Sequence, residues 1–258
     1  MKPFIIELYD DEYISNYIRE NGCWEPITTE ILTELFNSRE PNTVFVDIGA
    51  NIGYFSLFSA NKGVPVVAFE PVVTNYAMLE KSIAKNGLRH LIRSYMVPLS
   101  DKKENIIINV SEINMGLCST RELLDEDFSY SQVSTAETLD KYFGINTQHN
   151  LIVKIDVEEQ EKKVLRGMEQ TLASGKVTHI ILEIAWHDAE IFDILRKHGF
   201  NYCTNIGYAG TRFHTIPDTQ HLKTKKYIGT TDFIEKEMKK TTKNTQRMLL
   251  FYKTSSPV

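Results

Sequence analysis

Three groups of residues in this 258-residue chain have the types and spacing for chemistry. The first is Asp47-x-Gly49-x-Asn51-x-Gly53, followed by Glu70 and Pro71. The second is Lys154-x-Asp156-x-Glu158, and the third is Glu183 with His187 and Asp188 in LEIAWHDAE. Glycines interleaved with Asp and Asn after a β-branched run mark a loop whose backbone approaches a ligand closely. Carboxylates at strand ends supply proton acceptors, cation ligands or partners for hydroxyl groups.

The first group fails the dinucleotide pattern G-x-G-x-x-G, because Asn51 and Tyr54 stand where its second and third glycines belong. Hydride transfer is therefore disfavoured. Glu70, at the end of the next strand, can accept both hydrogen bonds of a ribose diol. Asp47 can meet a cationic amino group, while helix N–H groups near Asn51 and Gly53 meet a carboxylate. Ribose, ammonium and carboxylate together describe S-adenosylmethionine. The competing reading has Asp47 and Asn51 capping a helix, with Glu70 a solvated strand end.

In the second group, residues two apart on a strand point to one side, so Lys154, Asp156 and Glu158 would share a face. Glu183 ends the adjacent strand, where it can converge with Asp156. Asp156, Glu183 and Asp188 would make a hard-cation site for Mg²⁺ or Mn²⁺. Alternatively, the carboxylates hold a substrate hydroxyl, with His187 as base and Lys154 as orienting partner. Against both stand a buried structural Lys154–Asp156 pair and a helix that merely begins at His187-Asp188. Asn114 to Cys118 and Trp24-Glu25-Pro26 are read as packing in preference to acceptor walls.

These residues need a frame. Apolar residues at helical spacing, Ile27 to Phe36, make the first forty residues a helical extension. TVFVDIG (43–49) reads as a buried strand, then a helix with Asn51 as N-cap; PVVAFEP (65–71) is a strand and 74–87 a helix. Strands follow at 90–101 and 104–110, then a Ser/Asp/Glu-rich excursion from the core over 111–135 and a short helix at 138–144. LIVKIDVE (151–158) is a strand, 158–175 one amphipathic helix, 177–184 a strand, 191–199 a helix and 200–207 a strand. A polar segment (208–246) precedes the last strand, RMLLFYK (247–253). Alternating strands and helices imply an α/β fold with a mostly parallel sheet, whose ligands bind beyond the carboxyl ends of the strands.

Composition bounds the rest. Hydrophobic residues at 42% and charged residues at 24% fit an ordinary globular protein of one domain, residues 1–258. A net charge of −5 argues against a general nucleic-acid binder, although His221 to Arg247 holds eight Lys/Arg against three Asp/Glu. Three scattered cysteines fit a reducing compartment. With no apolar run long enough to span a bilayer, the expectation is a cytoplasmic protein.

VFVDIGANIGYFS (44–56), VVAFEPVVTNYAML (66–79), VPLSD (97–101) and IVKIDVEEQEKKVLRGM (152–168) resemble the FkbM-type methyltransferases in order and spacing. GCWEP (22–26) is similar to a segment these proteins often carry upstream. One departure is Glu159, where a glycine usually follows DVE. The resemblance implies a Rossmann-like class I methyltransferase fold, a seven-stranded sheet with an antiparallel last strand. It places the methionine end of S-adenosylmethionine at Asp47, Gly49, Asn51 and Gly53 and its ribose at Glu70, with Pro71 and Asp156 also against the cofactor and Ser100 and Asp101 near the adenine. It also implies O-methylation of a small acceptor, here a sugar or glycan hydroxyl. RNA ribose 2′-O-methylation and a cofactor-binding module without turnover are the alternatives; a nucleic-acid acceptor is the less favoured, since the strand ending in Glu183 offers no lysine.

Overall fold

The structure is a computed structural model that describes residues 3–10, 14–111, 118–119, 128–184, 189–208, 228–229 and 247–253. Helices α1 (Ile14–Asn21) and α2 (Pro26–Asn37) lead into strand β1 (Thr43–Ile48), every residue of which is buried. Then come α3 (Tyr54–Asn61), β2 (Val66–Phe69), α4 (Val73–Lys85), β3 (Ile92–Tyr95) and β4 (Glu104–Val110). The short β5 (Cys118–Ser119) and β6 (Tyr130–Ala136) precede β7 (Asn150–Ile155), α5 (Glu161–Arg166) and α6 (Glu169–Ala173). Strand β8 (Val177–Ile184), α7 (Ala189–Lys197), β9 (Tyr202–Tyr208), β10 (Ile228–Gly229) and β11 (Arg247–Tyr252) follow, and two short 3₁₀ turns stand at Leu88–His90 and, where a short helix was expected, at Leu139–Lys141.

The main sheet runs β10-β9-β11-β8-β7-β1-β2-β3. Strands β3, β2, β1, β7 and β8 are parallel, and β11 enters antiparallel between β8 and β9. The expected seven strands are all present; the two-residue β10, inside the polar segment, adds an eighth at the edge.

Strand alternation divides the core between the two faces. Phe45, Ile152, Ile181 and Leu250 pack with Leu32, Phe36, Leu57 and Leu79 of α2, α3 and α4. Val46, Val153, Leu182 and Phe251 pack with Leu165, Leu172 and Leu195 of α5, α6 and α7. Asp47, Lys154 and Glu183 lie two residues beyond Phe45, Ile152 and Ile181, so they emerge on the α2/α3 face.

Four boundaries differ from the sequence expectation. The third strand is only Ile92–Tyr95, and residues 96–101 run on as a loop that binds back through Ser100 N to Glu137 O at 2.9 Å. The 111–135 excursion contributes β5 and β6, which pair antiparallel with β4 in a second sheet. Strand β6 half-buries alternate side chains and fully buries only Ala136, so its polar composition resembles a loop. The helix expected at 158–175 is two helices broken at Gly167, where an added Cβ would stand 1.9 Å from the Ser100 carbonyl oxygen. Finally, β7 stops at Ile155, because Glu158 and Glu159 turn into left-handed backbone at φ 50° and 72°.

Candidate functional site

The loop after β1 is shaped by close approach. Gly49 has φ 81°, and a Cβ there would lie 1.8 Å from the Asp156 carbonyl oxygen. Gly53 has φ 90°, with Leu79 occupying the place of a side chain. Both demands, left-handed backbone and no side-chain room, select glycine. Asn51 is not the helix N-cap; Gly53 holds that position, and α3 starts at Tyr54. Asn51 instead takes φ 51° and donates its backbone N–H to Glu70 Oε2 at 2.7 Å.

Glu70 clamps this loop. Its other oxygen accepts from Val72 N at 2.9 Å. Burial pushes its carboxyl up to about 7, against the pull of those two N–H groups and Asn75. Pro71 follows, its carbonyl accepting from Gln132 Nε2 of β6 at 2.7 Å.

Asp47 is 1% exposed, and its Oδ2 accepts from Ser56 Oγ at 2.7 Å. Its Oδ1 has no hydrogen-bond partner among the described residues. Burial raises its carboxyl above the ordinary range, Lys154 opposing. A buried acceptor without a donor suits an incoming ammonium group.

Asp47 and Lys154 are direct register neighbours on β1 and β7. The Lys154 ammonium is buried, 2.8 Å from Asp156 Oδ2 and 5.1 Å above the Phe55 ring. Burial works against that charge, but Asp156, Asp47 and Glu25 together raise it above the usual lysine range. Burial also opposes the Asp156 charge; Lys154 and a hydrogen bond from Glu183 nonetheless hold this carboxyl low. Glu183 is pushed well above the carboxylate range, by burial first and then by Asp156, Glu158 and Glu25. The two carboxyls are thus pushed in opposite directions, Asp156 down and Glu183 up, while sharing a hydrogen bond.

Asp156, Glu158 and Glu183 bring carboxylate oxygens within 4.8 Å of one another. Glu158 reaches the group from the turn and not from a continued strand. Glu161 fixes that turn, its Oε1 accepting from Val157 N at 3.3 Å and Glu159 N at 3.1 Å. The φ of 72° at Glu159 gives a physical reason for glycine at this place.

Sequence reasoning set Glu25 aside. Its backbone is left-handed at φ 40°, it heads α2, and its side chain does not cap that helix. Instead Oε2 accepts from Thr28 Oγ1 at 2.8 Å, and the carboxyl interacts with Lys154, Asp156 and Glu183. The helical register that puts α2 on the Asp47 face was the signal; a lone Glu in GCWEP carries no motif of its own. Ser100 and Asp101 meet each other at 3.3 Å beside the Gly167 break. His187 and Asp188 lie outside the described residues, as do Asn114 to Leu117.

A parallel sheet with this strand order, an antiparallel last strand and a Gly-shaped loop facing a clamped Glu defines a Rossmann-like class I methyltransferase fold. The Methyltransferase FkbM domain profile matches residues 47–202, and the chain belongs to that family. The AMB antimetabolite synthetase AmbE of Pseudomonas aeruginosa is 27% identical over 234 residues, covering 68% of this chain and 10% of that protein. The 31-O-demethyl-FK506 methyltransferase FkbM of Streptomyces tacrolimicus is 26% identical over 215 residues, 68% of this chain and 80% of that one. Among solved structures, a methyltransferase FkbM from Methylobacillus flagellatus KT superposes with a TM-score of 0.46 at 13% identity, covering 81% of this chain and 43% of that one. The METTL16 methyltransferase domain gives 0.48 at 12%, covering 97% and 73%.

S-adenosylmethionine is the methyl donor this family implies, and the residues fit it. The unpartnered Asp47 Oδ1 would take its ammonium and Glu70 its ribose. The expectation that loop N–H groups meet its carboxylate is not met as the loop stands: Gly49 and Ala50 donate to Phe69 O, Asn51 to Glu70, Ile52 to Asn51 Oδ1 and Gly53 to Ala50 O. No helix among the described residues is long and apolar enough to cross a membrane.

Proposed function

We propose that this protein is an S-adenosylmethionine-dependent O-methyltransferase acting on a hydroxyl of a sugar, glycan or related small acceptor. The observation that carries this reading is the Lys154–Asp156–Glu183 group, set at the carboxyl ends of β7 and β8 directly against Gly49. The relative named for methylating an oxygen, 31-O-demethyl-FK506 methyltransferase, supports it.

Bound S-adenosylmethionine supplies a methyl group on a sulfonium, a good leaving group. The chain must align an acceptor oxygen and take its proton as the O–C bond forms. Asp156 is the proton acceptor. Lys154 and the Glu183 hydrogen bond aim its oxygens and hold it ionised at neutral pH. Carboxyls, as at Glu158 and Glu25, suit the hydroxyls of a polyhydroxylated acceptor. They repel phosphates, which speaks against RNA.

A second reading rests on the closeness of Asp156, Glu158 and Glu183. The same three oxygens would hold Mg²⁺ or Mn²⁺, which then takes the place of the Glu183 proton. Loss of turnover in EDTA, restored by either ion, would select this reading; indifference to EDTA would remove it.

The deciding experiment is labelled-methyl transfer from S-adenosylmethionine to a panel of glycans, small sugars and capped RNA. The expected result is label on a sugar hydroxyl. Asp156→Asn and Glu183→Gln should each lower turnover on the order of 10²–10⁴-fold while S-adenosylmethionine affinity stays within about threefold. Label on RNA alone, or on nothing, overturns the proposal.

A further inference from the structure

The first backbone N–H groups of a helix find no partner inside it, and a Ser, Thr, Asp or Asn at the N-cap usually serves one of them. Helix α4 has Val72 there instead, with no side-chain acceptor to offer. Val72 is wholly buried against Ile108 and Val110 of β4, so the second sheet packs directly on this helix start. The acceptors come from outside the helix. Val72 N donates to Glu70 Oε1 at 2.9 Å, and Val73 N donates to Gln132 Oε1, from β6, at 3.2 Å. The other end of the Gln132 amide turns on the preceding carbonyl: Nε2 donates to Pro71 O at 2.7 Å and to Ser134 Oγ at 3.0 Å. Only one orientation of the amide serves both Pro71 O and Val73 N.

Pro71 O and Val72 N belong to one peptide unit, which is planar. Gln132 Nε2–H, that peptide and Glu70 Oε1 therefore form a single hydrogen-bonded chain from the second sheet to the carboxyl. A donor at the carbonyl end polarises the peptide and strengthens the N–H at its other end. It also keeps the peptide from rotating that N–H away from Glu70. The second Glu70 oxygen accepts from Asn51 N at 2.7 Å. Each oxygen thus has one N–H and a lone pair left for a hydroxyl donor. Around the carboxyl stand these two N–H groups, the Asn75 side chain and, from β1, the Asp47 carboxyl.

We propose that Gln132 is a positioning residue of the cofactor site: by holding the Pro71–Val72 peptide, it aims the N–H that sets the Glu70 carboxylate for the ribose of S-adenosylmethionine. This rests on the reading of Glu70 as the ribose acceptor. The second sheet thereby supports the cofactor site through one side chain that touches no cofactor atom. Losing the Gln132 amide leaves a weaker N–H on Glu70, which favours the protonated carboxyl and a poorer acceptor.

The test is calorimetric titration of the full chain with S-adenosylmethionine and, separately, S-adenosylhomocysteine, which carries the same ribose, over about pH 5–9. Gln132→Met keeps the length and removes the amide. It should weaken both ligands roughly tenfold near neutral pH and move the midpoint of the affinity climb upward by about half a pH unit. Gln132→Asn, too short to reach both partners, should change both readouts in the same direction and decides the matter if the Met variant does not fold. Tyr130→Phe is the control: it removes the hydroxyl that lies 3.3 Å from Thr74 Oγ1, another tie between β6 and α4, and should move neither readout. Weaker binding with an unmoved midpoint would show a merely structural role and overturn the proposal. Unchanged binding, a loss confined to one ligand, or an equal shift in Tyr130→Phe would overturn it too. If the wild type binds neither ligand, the cofactor reading itself fails.

Discussion

The two ends of the site are organised by different physics. At the cofactor end, backbone does the positioning. Gly49 and Gly53 are forced by φ and by lack of room, and Glu70 binds two main-chain N–H groups. At the β7–β8 end, charge does the positioning. Lys154 and Asp156 hold each other charged against the cost of burial, and the Glu183 carboxyl beside them is pushed up. A backbone-built end tolerates exchange of charge but not of shape. A charge-built end should tolerate small changes of shape but not of charge.

Gly49→Ala tests the first half of that contrast and should have the largest effect. The added methyl collides with the Asp156 carbonyl, so a loss of about 2–5 kcal/mol in stability is expected, with S-adenosylmethionine binding abolished. Denaturant unfolding and calorimetry check it. A variant that binds normally would show that the loop is not held by contact. Lys154→Met tests the second half, conserving bulk while removing the charge. Stranding buried carboxylates costs about 3–5 kcal/mol, and the deficit should shrink at low pH as those carboxyls take up protons. A pH-independent deficit would mean that packing, not charge, holds this end.

Glu70 sits between the two regimes, a charged group used as a backbone clamp. Its folded carboxyl titrates at about 7, above the ordinary 4.5, so the folded state holds its proton longer than the unfolded one. Its contribution to stability is therefore greatest in acid and declines as pH rises through 4.5 to 7. Ribose hydroxyls donate best to the ionised form, so S-adenosylmethionine affinity should climb over about pH 6–8. Glu70→Gln should flatten that climb. A profile identical to wild type would assign the climb to another group.

The smallest effect is expected at the rim. Glu159→Gly places glycine at a φ of 72° and should raise stability by about 0.5–1 kcal/mol without altering the charge cluster. A loss of stability would show that the Glu159 side chain repays its strain.

The same contrast explains what could be read in advance. Strands β1, β2, β7 and β8 are buried apolar runs, and their ends mark Asp47, Glu70, Asp156 and Glu183 whatever surrounds them. Glycine spacing also survives in sequence, because the demand it answers is local. The break at Gly167 does not, since its cause is a carbonyl far away in the chain, at Ser100. Nor does β6, whose Tyr130–Ala136 pattern is too polar to separate from a loop until β4 is beside it. Glu158 and Glu25 join the site through left-handed turns, and neither residue type announces such a turn. The charge-built end was thus largely legible: Lys154, Asp156, Glu158 and Glu183 stand out by spacing, while the turn that brings in Glu158 and the approach of Glu25 do not.

One placement in the sheet bears on how the protein is made. Strand β8, which carries Glu183, meets its second neighbour only when Arg247–Tyr252 slides between it and β9. A nascent chain that has released β9 therefore holds the facing edges of β8 and β9 without their shared partner until it has emerged as far as Tyr252. A chain interrupted in that interval lacks the closed sheet. Within the sheet, β11 is thus the last-made strand and the one that closes the edge beside Glu183.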